Sequence, residues 1–158
     1  MKSIMLSIAI VLFVFINQAS AQKPLPVEVS NGETVYVSIY SDVLFQANRA
    51  PHQLAATLCL RNTDPKYGLT ITRADYYDTD GKLVERHIKK PLMLKPLSSK
   101  YIRIDYTDKK GGEGANFLVS WSSAQKINQP IIEGLMLNLL HGQGVAIRCP
   151  GQRITEHK

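Results

Sequence analysis

The stretch from Leu69 to Ile88, LTITRADYYDTDGKLVERHI, decides the fold class. Leu69 to Tyr77 is rich in β-branched and aromatic residues, whose side chains suit a pleated, half-buried surface. Asp78-Thr79-Asp80-Gly81 follows, and its Asp-Gly pair supplies the positive backbone angles that a tight reversal needs. With Leu83 to Ile88 beyond it, this is the pattern of an antiparallel hairpin.

Working outward, the same two-residue period recurs. Val35, Val37 and Ile39 alternate with Tyr36, Ser38 and Tyr40, and Leu54, Ala56, Leu58 and Leu60 alternate with Ala55, Thr57, Cys59 and Arg61. Such alternation buries one face of a sheet and leaves the other wet. Asn62-Thr63-Asp64-Pro65 stops the second run, because Asn and Asp bond their own backbone and Pro65 lacks a ladder donor. Leu92 to Leu94 is short, Tyr101 to Tyr106 offers Ile102 and Ile104 as inward residues, and Phe117, Val119 and Trp121 share one face as core anchors. Gly111-Gly112-Glu113-Gly114 shapes a long connection before them. Ile131 to Leu140 and Val145 to Cys149 close the series. The first of these is apolar on both faces and reads as a central strand or as a helix.

Seven or eight short strands, with turn chemistry between them and no helix–strand alternation, predict an all-β, immunoglobulin-like antiparallel sandwich. The expected organisation is a signal peptide over 1–21, a leader segment over 22–33 and the sandwich domain over 34–155. The signal reading rests on Lys2, an apolar run from Ile4 to Ile16 broken only by Ser7, and the small residues Ala19-Ser20-Ala21. That run is shorter than a membrane span, and nothing after Gln22 approaches one. No cysteine stands near the cleavage site to carry a lipid. A periplasmic or secreted product with no stable membrane span after cleavage is expected.

Of the 158 residues, 19 are basic and 13 acidic, for a net charge of +6. Residues 1–21 hold one lysine and no acid, so their removal leaves +5. The balance favours acidic partners weakly. The basic residues are scattered, Lys89-Lys90 and Lys109-Lys110 being the only pairs, so a nucleic-acid partner is not expected.

Several chemistries fail on spacing. Asp75, Asp78, Asp80 and Gly81 suggest a calcium loop, but with Asp78, Asp80 and Gly81 in its register, Tyr76 and His87 occupy positions that require carboxylates. The histidines His52, His87, His141 and His157 show no short metal-ligand spacing. Ser98-Ser99 and Ser122-Ser123 carry no nucleophile elbow, and no carboxylate pair is placed for acid and base roles. A non-catalytic protein without cofactor or metal is expected.

Cys59 and Cys149 are a candidate disulfide, which by the chain-entropy argument would contribute about 4 to 5 kcal/mol. Strand phasing opposes it, since Cys59 falls with Thr57 and Arg61 while Cys149 falls with Val145 and Ile147; two separate thiols are the alternative. Asn62, Asp64, Tyr77, Asp78 and Asn116, in or beside turns, are candidates for contacting a ligand, against the reading that they form turns. Ile132, Leu135, Met136 and Leu137 are candidates for a partner or homo-oligomer surface, since a strand apolar on both faces must be covered by something.

Five blocks together resemble one family. They are Val35-Tyr36-Val37 with Tyr40-Ser41; Leu60-Arg61-Asn62-Thr63-Asp64-Pro65; Tyr76-Tyr77-Asp78-Thr79-Asp80-Gly81-Lys82-Leu83; Gly111-Gly112 and Gly114-Ala115-Asn116-Phe117 with Trp121; and Pro130-Ile131-Ile132-Glu133. From about Val35 to Ile154 the chain is similar to the bacterial exported family known as domain of unknown function 3124. The resemblance implies a cell-envelope protein and brings no activity, cofactor or catalytic residue. The functional expectation is a binding or interaction module for an envelope protein or ligand, with a small-molecule or glycan binder as the alternative and a hydrolase or redox enzyme last.

Overall fold

A computed structural model describes residues 28–44, 51–140 and 143–157. The signal reading over 1–21 and the beginning of the leader lie outside the described residues. The strands run as β1 (Val29–Ser38), β2 (Asp42–Val43), β3 (His52–Gln53), β4 (Ala55–Arg61), β5 (Leu69–Tyr77), β6 (Leu83–Arg86), β7 (Leu92–Leu94), β8 (Ser99–Ile104), β9 (Asn116–Asn128), β10 (Ile131–Leu140), β11 (Gln143–Pro150) and β12 (Gln152–Glu156). Sheet one has the order β12-β1-β9-β5-β6, with β7 also on β5; sheet two has the order β11-β10-β4-β8; β2 and β3 pair apart. All these pairings are antiparallel. Among the described residues there is no helix long and apolar enough to cross a membrane.

The core lies between the two sheets and is built from the alternations read in the sequence. Val37 and Ile39 from β1 and its end, Leu58 and Leu60 from β4, and Phe117, Val119 and Trp121 from β9 are all 0% exposed. Ile102 and Ile104 complete the β8 side. Each such side chain contributes roughly 1.5–3 kcal/mol by leaving water.

Three findings correct the sequence reading, and a fourth decides between the strand and the helix it offered for Ile131 to Leu140. Among the described residues there are twelve strands rather than seven or eight, because pieces as short as β2, β3 and β7 cannot display a period. β1 starts at Val29, inside the segment read as leader: Val29 and Ser30 pair with Asn128 and Ile127, and a bulge before Gly32 breaks the alternation. Ile131 to Leu140 is a strand, central between β4 and β11. Its Gly134 explains how, because a Cβ there would lie 2.8 Å from Ile39 Cδ1 and 3.0 Å from the Ser38 carbonyl oxygen. That close approach seats β10 against β1. The β5–β6 turn, finally, is longer than a two-residue reversal. Tyr77 pairs with Leu83, Asp78 N donates to the Lys82 carbonyl at 3.0 Å, and Gly81 takes a φ of 78° where Asp80 does not.

Candidate binding face

Sheet one turns its outer face to solvent, and the registers show what stands there. One row runs Tyr36, Leu118, Asp75, Arg86 across β1, β9, β5 and β6, with Gln152 of β12 beyond Tyr36. The next runs Thr34, Ser120, Arg73, and the row on the other side runs Ser38, Asn116, Tyr77, Leu83. A bulge between Ile71 and Arg73 re-phases β5, so that Arg73, Asp75 and Tyr77 share this face while Ala74 and Tyr76 enter the core.

Asp75 is the fixed point. It is 5% exposed, and Arg73 Nε donates to its Oδ2 at 2.8 Å. Arg73 also donates through Nη2 to the Tyr77 hydroxyl and places its guanidinium 5.8 Å from the Tyr77 ring centre. The buried carboxylate is thus neutralised by one arginine, as a charge in that position must be. Arg86 Nε lies 3.8 Å from the same oxygen, outside hydrogen-bond distance, and the Arg86 side chain is 70% exposed. A shallow cleft of about 390 Å³ opens here, lined by Thr72, Arg73, Asp75, Arg86 and Ile88. One guanidinium is therefore hydrogen-bonded to the buried carboxylate, and a second, in looser ion-pair contact with it, is largely exposed at the cleft.

Along the neighbouring row, Thr34 Oγ1 meets Ser120 Oγ at 3.0 Å and His157 Nε2 at 3.0 Å, and Thr72 Oγ1 donates to the Ser120 carbonyl at 3.2 Å. Hydroxyls, tyrosines and arginines on one flat face form a surface with many donors and two stacking rings. A second hollow, of about 600 Å³, is bounded by Asp105, Thr107, Asp108, Lys109 and Lys110. Its acids are already used: Asp105 Oδ1 accepts from Thr107 N and Oγ1, and Asp108 Oδ1 accepts from Lys110 N.

The candidates from sequence divide. Tyr77 lies on this face beside the cleft, and Asn116 lies in its row on β9. Asn62 and Asp64 lie elsewhere and are spent on the backbone. Asn62 Nδ2 donates to the carbonyls of Tyr67 (2.9 Å), Leu94 (3.3 Å) and Lys95 (3.0 Å). Its Oδ1 accepts from Asp64 N at 3.0 Å, and Asp64 Oδ1 accepts from the amides of Lys66 and Tyr67. Those amides hold the Asp64 carboxyl below the ordinary carboxylate range. Asp78 Oδ1 likewise accepts from Asp80 N and Lys82 N. These three side chains build turns.

Cys59 and Cys149 are free thiols. Cys59 stands opposite Glu133 and Cys149 opposite Gly134, so β10 runs between them. Two strand spacings separate their backbones by roughly 10 Å, beyond disulfide reach. Their side chains also leave opposite faces of the sheet, as the phasing indicated. The surface candidates divide by the same alternation. Ile132 and Met136 are 5% and 0% exposed and belong to the core, which corrects their reading as interface residues. Leu135 is half-buried on the outer face of sheet two, and Leu137 is 45% exposed beside it.

Arg73 and Arg86 did not stand out in the sequence, and Asp75 drew attention only as part of the failed calcium loop. The available signal was the hairpin itself: folding Leu83–Arg86 back on β5 sets Arg86 opposite Asp75.

The fold and this face define an antiparallel β-sandwich with an open, cation-bearing sheet surface. The chain belongs to the family described as protein of unknown function, DUF3124, whose model matches residues 32–154. Among curated proteins none matches the chain. Among solved structures the chain is similar to that given as "Crystal Structure of Thermotoga maritima 1070", at 16% identity and a TM-score of 0.45, over 76% of this chain and 92% of that one.

Proposed function

We propose that this chain is a non-catalytic recognition module of the bacterial envelope, exported under the signal of residues 1–21, and that sheet one binds a small molecule or glycan bearing a carboxylate. One observation carries the ligand reading. The buried Asp75 already has Arg73 as its hydrogen-bonded partner, so the Arg86 fork, 70% exposed at the cleft, is the donor set left for an anion. A guanidinium matches a carboxylate bidentately, which fixes orientation as well as charge. Tyr77 and Tyr36 offer ring faces to a sugar, and Thr34, Ser120 and Asn116 offer hydroxyl and amide partners along the same rows. Export is supported by Lys2, the apolar run Ile4 to Ile16 and Ala19-Ser20-Ala21.

Calorimetric titration with a uronic-acid oligosaccharide and with its neutral counterpart tests the reading. The acidic sugar should bind and the neutral one should bind far more weakly. Arg86→Ala should weaken acidic-sugar binding by roughly tenfold or more, the size of a lost charge-assisted contact. Equal binding of the two sugars, or unchanged binding by Arg86→Ala, contradicts it.

A further inference from the structure

We infer that the outer face of sheet two is a docking surface for an anionic lipid layer. This goes beyond the ligand reading, because it concerns the opposite side of the sandwich. The registers again give the surface. Tyr101, Cys59, Glu133 and Pro150 form one row; Arg103, Thr57, Leu135 and Arg148 form the next; Arg61 and Ile131 lie on one side of them and Ala55, Leu137 and Ala146 on the other. Three arginines thus stand on this face against one carboxylate, Glu133, which is paired with Arg148. Arg61 lies 5.7 Å over the Tyr101 ring, and Arg103 is exposed. Between the charges, Ile131 is 44% exposed, Leu137 45% and Tyr101 40%.

The composition selects the occupant. A second copy is disfavoured, because a two-fold pairing apposes two faces that each carry three arginines against one carboxylate, and so a like net charge. An acidic polymer would engage the guanidinium groups and gain nothing from Ile131, Leu135 and Leu137. A lipid layer engages both sets: headgroup phosphates take the arginines, and the aliphatic side chains reach the acyl boundary. Arginine stems lie along apolar surface while their heads stay at the phosphate level. Docked in this way, the molecule would hold the Arg73–Asp75–Arg86 cleft away from the lipid and open to solvent.

Co-sedimentation of the exported chain with phosphatidylcholine vesicles, with and without phosphatidylglycerol, tests this. Cleavage after Ala21, as proposed above, removes Lys2 and the Ile4 to Ile16 segment, and intact mass checks this before sedimentation. Binding should require the anionic lipid and fall with salt. Arg103→Gln with Arg148→Gln should lower partitioning by roughly 10- to 30-fold, at the few-fold per cation typical of such surfaces, while Arg103→Lys should retain it. Leu137→Gln should weaken vesicle binding too. Equal partitioning to both vesicle types overturns the inference. So does a pattern in which the arginine variants lose binding and Leu137→Gln does not, which marks an acidic polymer site. The Arg86→Ala variant should partition like the wild type, so failure here is distinct from failure of the ligand reading.

Discussion

Arg73 Nε and Asp75 Oδ2 lie 2.8 Å apart with the carboxylate side chain 7% exposed and the guanidinium side chain 39% exposed. The pair is asymmetric in what it can tolerate. Removing Arg73 strands a buried carboxylate, at a cost of several kcal/mol, so Arg73 is as much a part of the fold as of the binding face. Arg86 is joined to Asp75 only across 3.8 Å and is largely in water. Its loss should leave the domain folded, within about 0.5 kcal/mol of the wild type as for other exposed sites. Chemical denaturation of Arg86→Ala and Arg73→Ala side by side should show the first near wild type and the second clearly weakened; the reverse order would mean that the charges are partitioned otherwise.

Asp64 makes the domain sensitive to acid. Its carboxylate accepts from the amides of Lys66 at 2.8 Å, Tyr67 at 2.9 Å and Asn128 at 3.2 Å, and these bonds depress its folded pKa. Unfolded, an aspartate titrates near about 3.9. As pH falls, the unfolded chain therefore takes up its proton first. The stability contributed by this group is complete above the unfolded value and drains away as pH drops through the lower, folded value. Asp64→Asn should be less stable than the wild type at neutral pH, and the gap should narrow below about pH 4. Urea melts at several pH values measure it; a gap independent of pH would contradict the assignment.

Leu97 carries a local strain that can be relieved. In the turn Lys95-Pro96-Leu97-Ser98, Ser98 N donates to the Lys95 carbonyl at 3.1 Å, and Leu97 takes a φ of 59°. Pro before a residue of positive φ is the type II pattern, which favours glycine or asparagine at the second position. Leu97 is 67% exposed, so little packing is lost on replacement. Leu97→Asn should raise stability by about 0.5–1 kcal/mol. A lower melting temperature would show that the leucine makes a contact worth more than its strain.

The thiols give a redox prediction. With β10 between Cys59 and Cys149, reductant should leave the melting temperature unchanged, and both cysteines should react with a thiol reagent once unfolded without prior reduction. Cys59, 2% exposed and with its pKa pushed up by burial, should react slowly in the native protein. A mass lower by two hydrogens in the oxidised native chain would contradict this.

Period and turn chemistry made the layers legible. The alternations at Val35 to Ile39, Leu54 to Leu60 and Phe117 to Trp121 all enter the core as read, because each strand has one buried face. Where a second device acts, the reading fails. The Gly32 bulge hides the start of β1, and the all-apolar β10 shows its facing only through Gly134 against Ile39. The candidate face was half legible. Tyr77 and Asn116, singled out by their places near turns, stand on this face, whereas Arg73 and Arg86 meet around Asp75 through a bulge and a cross-strand register that one-dimensional spacing does not display.

The central claim, that the outer face of sheet one binds an acidic ligand, is tested most directly by amide NMR during titration with a uronic-acid oligosaccharide. Shifts should gather at Thr72 to Tyr77, at Arg86 and at Asn116 to Ser120, and should vanish in Arg86→Ala. Shifts confined to β4, β8 and β10, or none at saturating sugar, would contradict the account.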